Sequence, residues 1–190
     1  MIILNSALGR VDYFDQIVPE PEKFLKALLQ EIPFASEQIM MFGKKVTVPR
    51  LVSWHGEPGI HYRYSGTDHV TLPWTPTLLT LKELVEKSSG ASFNAVLLNL
   101  YRSGQDYMSW HADDEKELGL NPTIASLSLG SERIFEFKKK LDKKPEITLI
   151  LKSGSLLTMS GSLQTHYHHR LKKEAKINGI RINLTFRKIF

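Results

Sequence analysis

From Gly90 to the C-terminus, apolar and polar residues alternate with a period close to two. That spacing puts successive side chains on opposite faces of an extended chain, so this half of the molecule is expected to fold as half-buried strands rather than helices. Residues 93–101, 123–129, 133–137, 147–151, 155–159 and 181–187 each read as a strand. Ahead of them two helices are legible. The first starts near Pro21 and sets Phe24, Leu25, Leu28, Leu29 and Ile32 along one stripe. The second takes Thr75 as N-cap and Pro76 in its first turn, buries Leu78, Leu81 and Val85, and stops at Gly90. Helices grouped before many short strands predict an α+β fold, a jelly roll (double-stranded β-helix) backed by helices, with a site between its two sheets. Residues 39–48 read as a hairpin turning at Gly43, with Met41 and Phe42 near its tip and Lys44 and Lys45 beside them.

A chain of 190 residues without repeats or long linkers is expected to form one domain. Within it, about 1–90 would supply the helices and an N-terminal hairpin lid, and about 91–190 the jelly-roll core. The absence of Cys excludes a disulfide framework, a cysteine zinc site and a thiolate nucleophile together. The N-terminus turns polar after three apolar residues and no apolar run approaches the roughly 20 residues of a membrane span. A soluble monomer without a membrane partner is therefore expected, cytoplasmic or associated with nucleus or nucleoid. The formal charge of +5 leans towards a polyanion. Its lysines bunch at Lys138-Lys139-Lys140, Lys143-Lys144, Lys172-Lys173 and Lys176. Such runs read as solvated surface unless a site lies beside them.

The sharpest local signal is Trp110-His111-Ala112-Asp113. In a strand, residues two apart share a face, so the His111 imidazole and the Asp113 carboxylate can converge on one metal. With a later histidine they make a two-histidine, one-carboxylate face that leaves open positions on iron(II). Candidates for that histidine are His166, His168 and His169, and spacing alone does not choose among them. In the last strand Arg181, Asn183, Thr185 and Arg187 share one face and Ile182, Leu184 and Phe186 the other. The first set is either the solvated side of an edge strand or a donor array for a dicarboxylate. Asn99 and Tyr101 share a face with Phe93, Ala95 and Leu97, the pattern of a cavity floor that turns polar towards a ligand.

These residues carry a resemblance. Asn99-x-Tyr101, His111-x-Asp113-Asp114-Glu115 and the terminal Arg181-Ile182-Asn183-Leu184-Thr185-Phe186-Arg187 resemble the AlkB family of nucleic-acid dioxygenases. So do Phe42-Gly43-Lys44, Val48-Pro49-Arg50, Tyr62-Arg63-Tyr64-Ser65-Gly66 and Trp74-Thr75-Pro76, so the likeness runs from about Phe42 onward. The order of the parts resembles the subgroup that repairs double-stranded DNA. The resemblance implies iron(II) held by His111, Asp113 and His169. His169 is selected because the family's ligand histidine is followed after one residue by leucine, here Leu171. It implies 2-oxoglutarate held at its far carboxylate by Arg181 with Tyr101 and Asn99. Arg187 would sit near the metal-side carboxylate, with Asn183 and Thr185 on the same face.

The implied reaction consumes dioxygen and 2-oxoglutarate, yields succinate and carbon dioxide, and hydroxylates the N-alkyl group of a DNA base. For N1-methyladenine or N3-methylcytosine the alkyl carbon then leaves as formaldehyde, which is DNA repair. A base inside a duplex must be flipped out to be reached. By the same resemblance Tyr64 stacks the flipped base against His111, Tyr62 lines the pocket, and Asp114 with Glu115 takes the exocyclic amine. Phe42 fills the vacated stack, while Arg50 and the lysine clusters meet phosphates. After Leu171 this chain has Lys172, where relatives commonly place proline. Two other readings compete: an RNA or dual DNA/RNA demethylase, and a non-catalytic nucleic-acid-binding β-domain whose His and Asp are structural.

Overall fold

The computed structural model describes residues 1–41, 43–64 and 67–190, and leaves the side chains of residues 39–41, 44, 61–64 and 67–69 outside that description. The N-terminal part contributes β1 (Ile2–Ser6), β2 (Gly9–Phe14), α1 (Pro21–Glu31), β3 (Ala35–Met41) and β4 (Lys44–Gly56). Next come β5 (His61–Tyr64), β6 (Thr67–Val70) and α2 (Pro76–Ser89), then β7 (Ala95–Tyr101) and β8 (Met108–His111). The remainder forms β9 (Ile124–Gly130), β10 (Arg133–Lys139), β11 (Ile147–Leu151), β12 (Leu156–Ser160), α3 (Leu163–His166), β13 (Tyr167–Leu171) and β14 (Arg181–Arg187).

The strands make an eight-stranded sheet in the order β1-β2-β12-β9-β14-β7-β4-β3, a four-stranded sheet in the order β11-β10-β13-β8, and the separate β5-β6 pair. The pairings are antiparallel, and the two larger sheets face each other as a jelly roll. The larger sheet takes β1 to β4 from the first 90 residues and so crosses the division expected near residue 90. The β1-β2 pair was not anticipated, because Ile2 to Phe14 alternates too weakly to announce strands.

Burial explains the three layers. One apolar cluster lies between the helices and the larger sheet: Leu25, Leu28, Leu78, Leu81 and Val85 meet Val96, Leu98, Ile182, Leu184 and Phe186. The second fills the space between the sheets with Leu97, Tyr101, Phe135, Phe137, Leu157, Met159 and Leu171. Each such side chain removed from water contributes about 1.5–3 kcal/mol, which fixes which face of β7 and β14 points at the helices. The α2 boundaries follow the local chemistry read from the sequence. The Thr75 hydroxyl accepts the Leu78 N–H at 3.2 Å, and Gly90 closes the helix at a left-handed φ of 69°. The stripe of α1 is narrower than expected, because Leu29 is 37% exposed while Leu25, Leu28 and Ile32 are buried. Leu29 sits one residue round from Leu28, off the sheet.

The hairpin expected across residues 39–48 is present as the β3-β4 pair, with Met41 opposite Lys44 and Gly43 at φ 75°. Phe42, expected as its wedge, lies outside the described residues. Phe93, expected on the cavity side of β7, precedes that strand and packs instead on Phe186, ring centroids 6.0 Å apart, in the helix-side cluster. Nor is β14 an edge strand. It is bonded to β7 on one side and β9 on the other, and all seven of its residues are buried. Among the described residues no helix is long and apolar enough to cross a membrane.

Candidate active site

Side chains from both sheets meet in one cavity lined by His111, Asp113, His169, Asn99, Tyr101, Arg181, Asn183, Thr185 and Arg187, together with Arg50. The smaller sheet supplies one end. Residues 111 and 169 are cross-strand partners in β8 and β13, which brings their rings to a 4.2 Å centroid separation at 63°. Asp113 does not share the strand, as the sequence reading supposed. β8 ends at His111, and Asp113 turns in from the following loop, where its N–H donates to Gln164 Oε1 at 3.0 Å. The result is the convergence that spacing anticipated, reached by another route. Ligating atoms of His111, Asp113 and His169 lie within 4.8 Å of one another.

The two other histidines do not join them. His168 alternates to the outer face of β13 opposite Lys138, and His166 Nδ1 is engaged with the Ser162 carbonyl at 2.9 Å.

Protonation states favour a cation. The carbonyl of Ser109 accepts a hydrogen bond from His111 Nδ1 at 2.8 Å, which leaves the Nε2 lone pair available. Burial, reinforced by His111 nearby, pushes His169 down to about 3, so both imidazoles are neutral at pH 7. Burial by itself would raise the Asp113 carboxyl. Arg187, His169 and His111 outweigh it and hold Asp113 at about 2, with Arg187 Nη2 donating to Oδ1 at 2.9 Å. Two neutral imidazoles and one ionised carboxylate are the donor set of a facial metal triad.

The larger sheet supplies the other end. Arg181 stands opposite Tyr101, and Asn183 opposite Asn99, in the β14-β7 register. The Asn183 amide donates to Ser126 Oγ at 2.7 Å and its carbonyl accepts the Thr185 hydroxyl at 2.9 Å. Arg181 is 2% exposed, lies 5.3 Å over the Tyr101 ring and donates through Nη2 to Ser128 Oγ at 2.9 Å. Its Nε–H meets no acceptor among the described residues. Burial lowers this guanidinium to about 10, which still leaves it charged at neutral pH. A buried cation with an unanswered donor is costly unless an anion arrives. Together the cavity walls carry Arg50, Arg181 and Arg187 against Asp113 as the lone carboxylate among the lining residues, an imbalance that a dicarboxylate removes. The residues therefore fit both a divalent metal and a diacid beside it.

Arg50 is a correction. Expected at a phosphate, it is 3% exposed and its Nε donates to Asn99 Oδ1 at 2.7 Å. Alternation along β4 puts it on the same face as Val52 and Trp54, towards the cavity, a signal the sequence already held. Ser126 and Ser128 alternate with Leu127 and Leu129 and so share one face, which the fold turns towards Asn183 and Arg181.

On the substrate side Asp114 is exposed, with Lys140 Nζ 3.0 Å from Oδ2, and Glu115 is half-buried. The side chains of Tyr62 and Tyr64 lie outside the described residues. Of the lysine clusters, Lys138 stands 5.2 Å over Trp110 and Lys173 5.9 Å over Tyr107, so basic and aromatic groups interleave on the outer face of the smaller sheet.

Comparison with known proteins places this geometry. A family model described as the 2OG-Fe(II) oxygenase superfamily matches residues 12–187. The chain is 37% identical over 182 residues to human alpha-ketoglutarate-dependent dioxygenase alkB homolog 3, covering 91% of this chain and 63% of that protein. It is likewise 37% identical over 180 residues to human DNA oxidative demethylase ALKBH2, covering 90% and 69%. The Arabidopsis thaliana protein of that name is 35% identical over 203 residues, covering 92% and 65%. The chain spans between 60% and 65% of the length of the first four of these curated relatives. Among solved structures, one titled for OsALKBH1 superposes with a TM-score of 0.72 at 14% identity, over 99% of this chain and 100% of that one, which shows a shared fold.

Proposed function

Since the chain belongs to the AlkB family within the 2OG-Fe(II) oxygenase superfamily, we propose that it removes alkyl groups oxidatively from N-alkylated bases in DNA. The family's cofactor set is iron(II), 2-oxoglutarate and dioxygen, and the His111, Asp113, His169 triad fits the iron. The observation that carries the reading is the meeting of that triad with the uncompensated Arg181 guanidinium in one buried cavity.

In this reading His111, Asp113 and His169 hold the metal. Bound iron, with 2-oxoglutarate and dioxygen, supplies the oxidising power that hydroxylates the alkyl carbon and leaves succinate and carbon dioxide. The chain's own residues position and protect. Arg181 accepts the far carboxylate of the cosubstrate as its missing partner, and Tyr101 and Asn99 border that end. Arg187 fixes Asp113 in its ligating orientation through the 2.9 Å bond. Phe135, stacked 5.5 Å from His169, and Phe137, 5.9 Å away, keep water from the rear of the triad. His111 is partly exposed and borders the open side, where a base flipped from the stack would approach. Asp114, and Tyr62 and Tyr64 from β5, are the residues assigned to that base. Once hydroxylated, a methyl carbon leaves as formaldehyde.

DNA is favoured over RNA because several relatives carry the name DNA oxidative demethylase. The deciding experiment supplies N1-methyladenine and N3-methylcytosine in duplex DNA, single-stranded DNA and RNA, and reads succinate and formaldehyde together. Equal release of both products, dependent on added iron(II) and fastest on DNA, is expected. A marked preference for RNA would move the substrate to that polymer. No succinate from anaerobically reconstituted protein would leave a binding module instead.

A further inference from the structure

We propose that Arg133 is a positioning residue for 2-oxoglutarate, acting through the two backbone segments that flank the far-carboxylate end of the cavity. The proposal rests on the reading of Arg181 and Tyr101 above. Those two residues face each other in register, Tyr101 as the last residue of β7 and Arg181 as the first of β14. Each therefore sits where the chain leaves regular structure. Tyr101 runs into the 102–107 loop, and Arg181 is reached from the 172–180 segment. Both segments lie outside the strands, and among the described residues their backbone is bonded to the sheets only near their ends, by Tyr107 N–H to Pro49 O at 3.3 Å, Lys172 N–H to Ile134 O at 3.0 Å and Ser131 N–H to Ile180 O at 2.8 Å.

Arg133, the first residue of β10, is 1% exposed and ties both segments down. Nη2 donates to the carbonyls of Asp106 at 2.9 Å and Lys172 at 2.7 Å, and Nη1 to that of Ser103 at 3.3 Å. Nε meets Glu174 Oε2 at 3.1 Å, and the same oxygen accepts the Ile134 N–H at 2.8 Å. One guanidinium thus joins β10, the loop after Tyr101 and the segment before Arg181. The segments also touch directly. Gly104 donates to Ile177 O at 2.7 Å and accepts from Glu174 N at 2.9 Å. A Cβ on Gly104 would fall 1.8 Å from the Glu174 carbonyl oxygen, so only glycine permits this approach. Finally, Arg133 lies 5.9 Å over the Tyr101 ring that Arg181 also covers at 5.3 Å. Its charge is matched by Glu174, whereas Arg181 is left for the ligand. Two buried guanidiniums thus share the Tyr101 ring, one satisfied within the fold and one with a donor left over.

The test titrates 2-oxoglutarate into manganese(II)-loaded protein by calorimetry, alongside steady-state KM and thermal melting. Glu174→Gln retains the volume and removes the charge that orients Arg133, and Arg133→Lys keeps the charge but loses the planar fork that reaches the three carbonyls and Glu174 from separate nitrogens. Both are expected to weaken 2-oxoglutarate binding about tenfold, with KM for the oligonucleotide and manganese affinity unchanged. Gly104→Ala, which forces the two segments apart, should do the same. A lower melting temperature with an unaltered 2-oxoglutarate dissociation constant in Glu174→Gln and Gly104→Ala would overturn the proposal and leave Arg133 a stability residue. If wild type itself binds no 2-oxoglutarate, the functional reading fails and not merely this refinement. Should Arg133→Lys fail to fold, the other two variants decide.

Discussion

The two ends of the cavity are built on opposite electrostatic plans. At the metal end the triad itself is electrostatically settled inside the fold: Asp113 is paired with Arg187 and the imidazoles are neutral. At the far end Arg181 is buried beside hydroxyls and an aromatic ring with no ion pair among the described residues. The first end is complete as a structure before it binds anything. The second stays costly while that donor is unanswered, so in the proposed reading the same kind of buried arginine serves stability at one end and ligand recognition at the other.

Substitutions can break that contrast. Asp113→Asn removes the answering charge, which should cost about 3–5 kcal/mol of stability and reduce succinate release to that of iron-free protein. Melting curves and succinate assays check both. Arg181→Met should leave the melting temperature unchanged or higher, while weakening 2-oxoglutarate binding by about 10²-fold, as expected for loss of charge-assisted bonds in a buried site. If the two variants lose equal stability, the contrast is wrong.

Proton linkage sharpens it further. His169 is held at about 3 against an ordinary 6.5, so below 6.5 the unfolded chain binds a proton that the folded one refuses. Metal-free protein should therefore lose stability as pH falls from 6.5 towards 3. The slope from His169 is at most about 1.4 kcal/mol per pH unit, roughly 3–6 °C in melting temperature. Asp113, held at about 2, adds to the loss below its ordinary 3.8. Arg181, at about 10, contributes no slope in this range. His169→Phe should reduce that slope and leave the part that comes from His55, His111 and His168, which are also held below their ordinary value. The smallest effect is expected at the exposed Lys140–Asp114 pair. There Lys140→Ala should change stability by under about 0.5 kcal/mol yet lower the salt dependence of nucleic-acid binding by roughly one charge.

Period-two alternation was enough to locate β14 and sort its faces, because both faces are buried against different layers. It could not say that β14 is central, since register with β7 and β9 depends on contacts more than fifty residues away. Asp113 shows the complementary limit. The H-x-D spacing found the right pair, but the strand ends at His111, and it is Gln164, 51 residues further on, that accepts the Asp113 N–H. Arg133 was illegible for a plainer reason. It stands first in β10, and an arginine at a strand end gives no sign in sequence of the loops it will face, whereas the alternation of Arg50 with Val52 and Trp54 did mark its side.

The central placement of β14 has a consequence for dynamics. A strand bonded along both margins cannot fray without opening the larger sheet, so amide protons of 182–186 should exchange with solvent only through unfolding of the whole domain. Arg181, Asn183, Thr185 and Arg187 therefore ride on the slowest-opening element of the protein. If the protein admits a nucleic-acid base as proposed, the motion that does so must come from elsewhere.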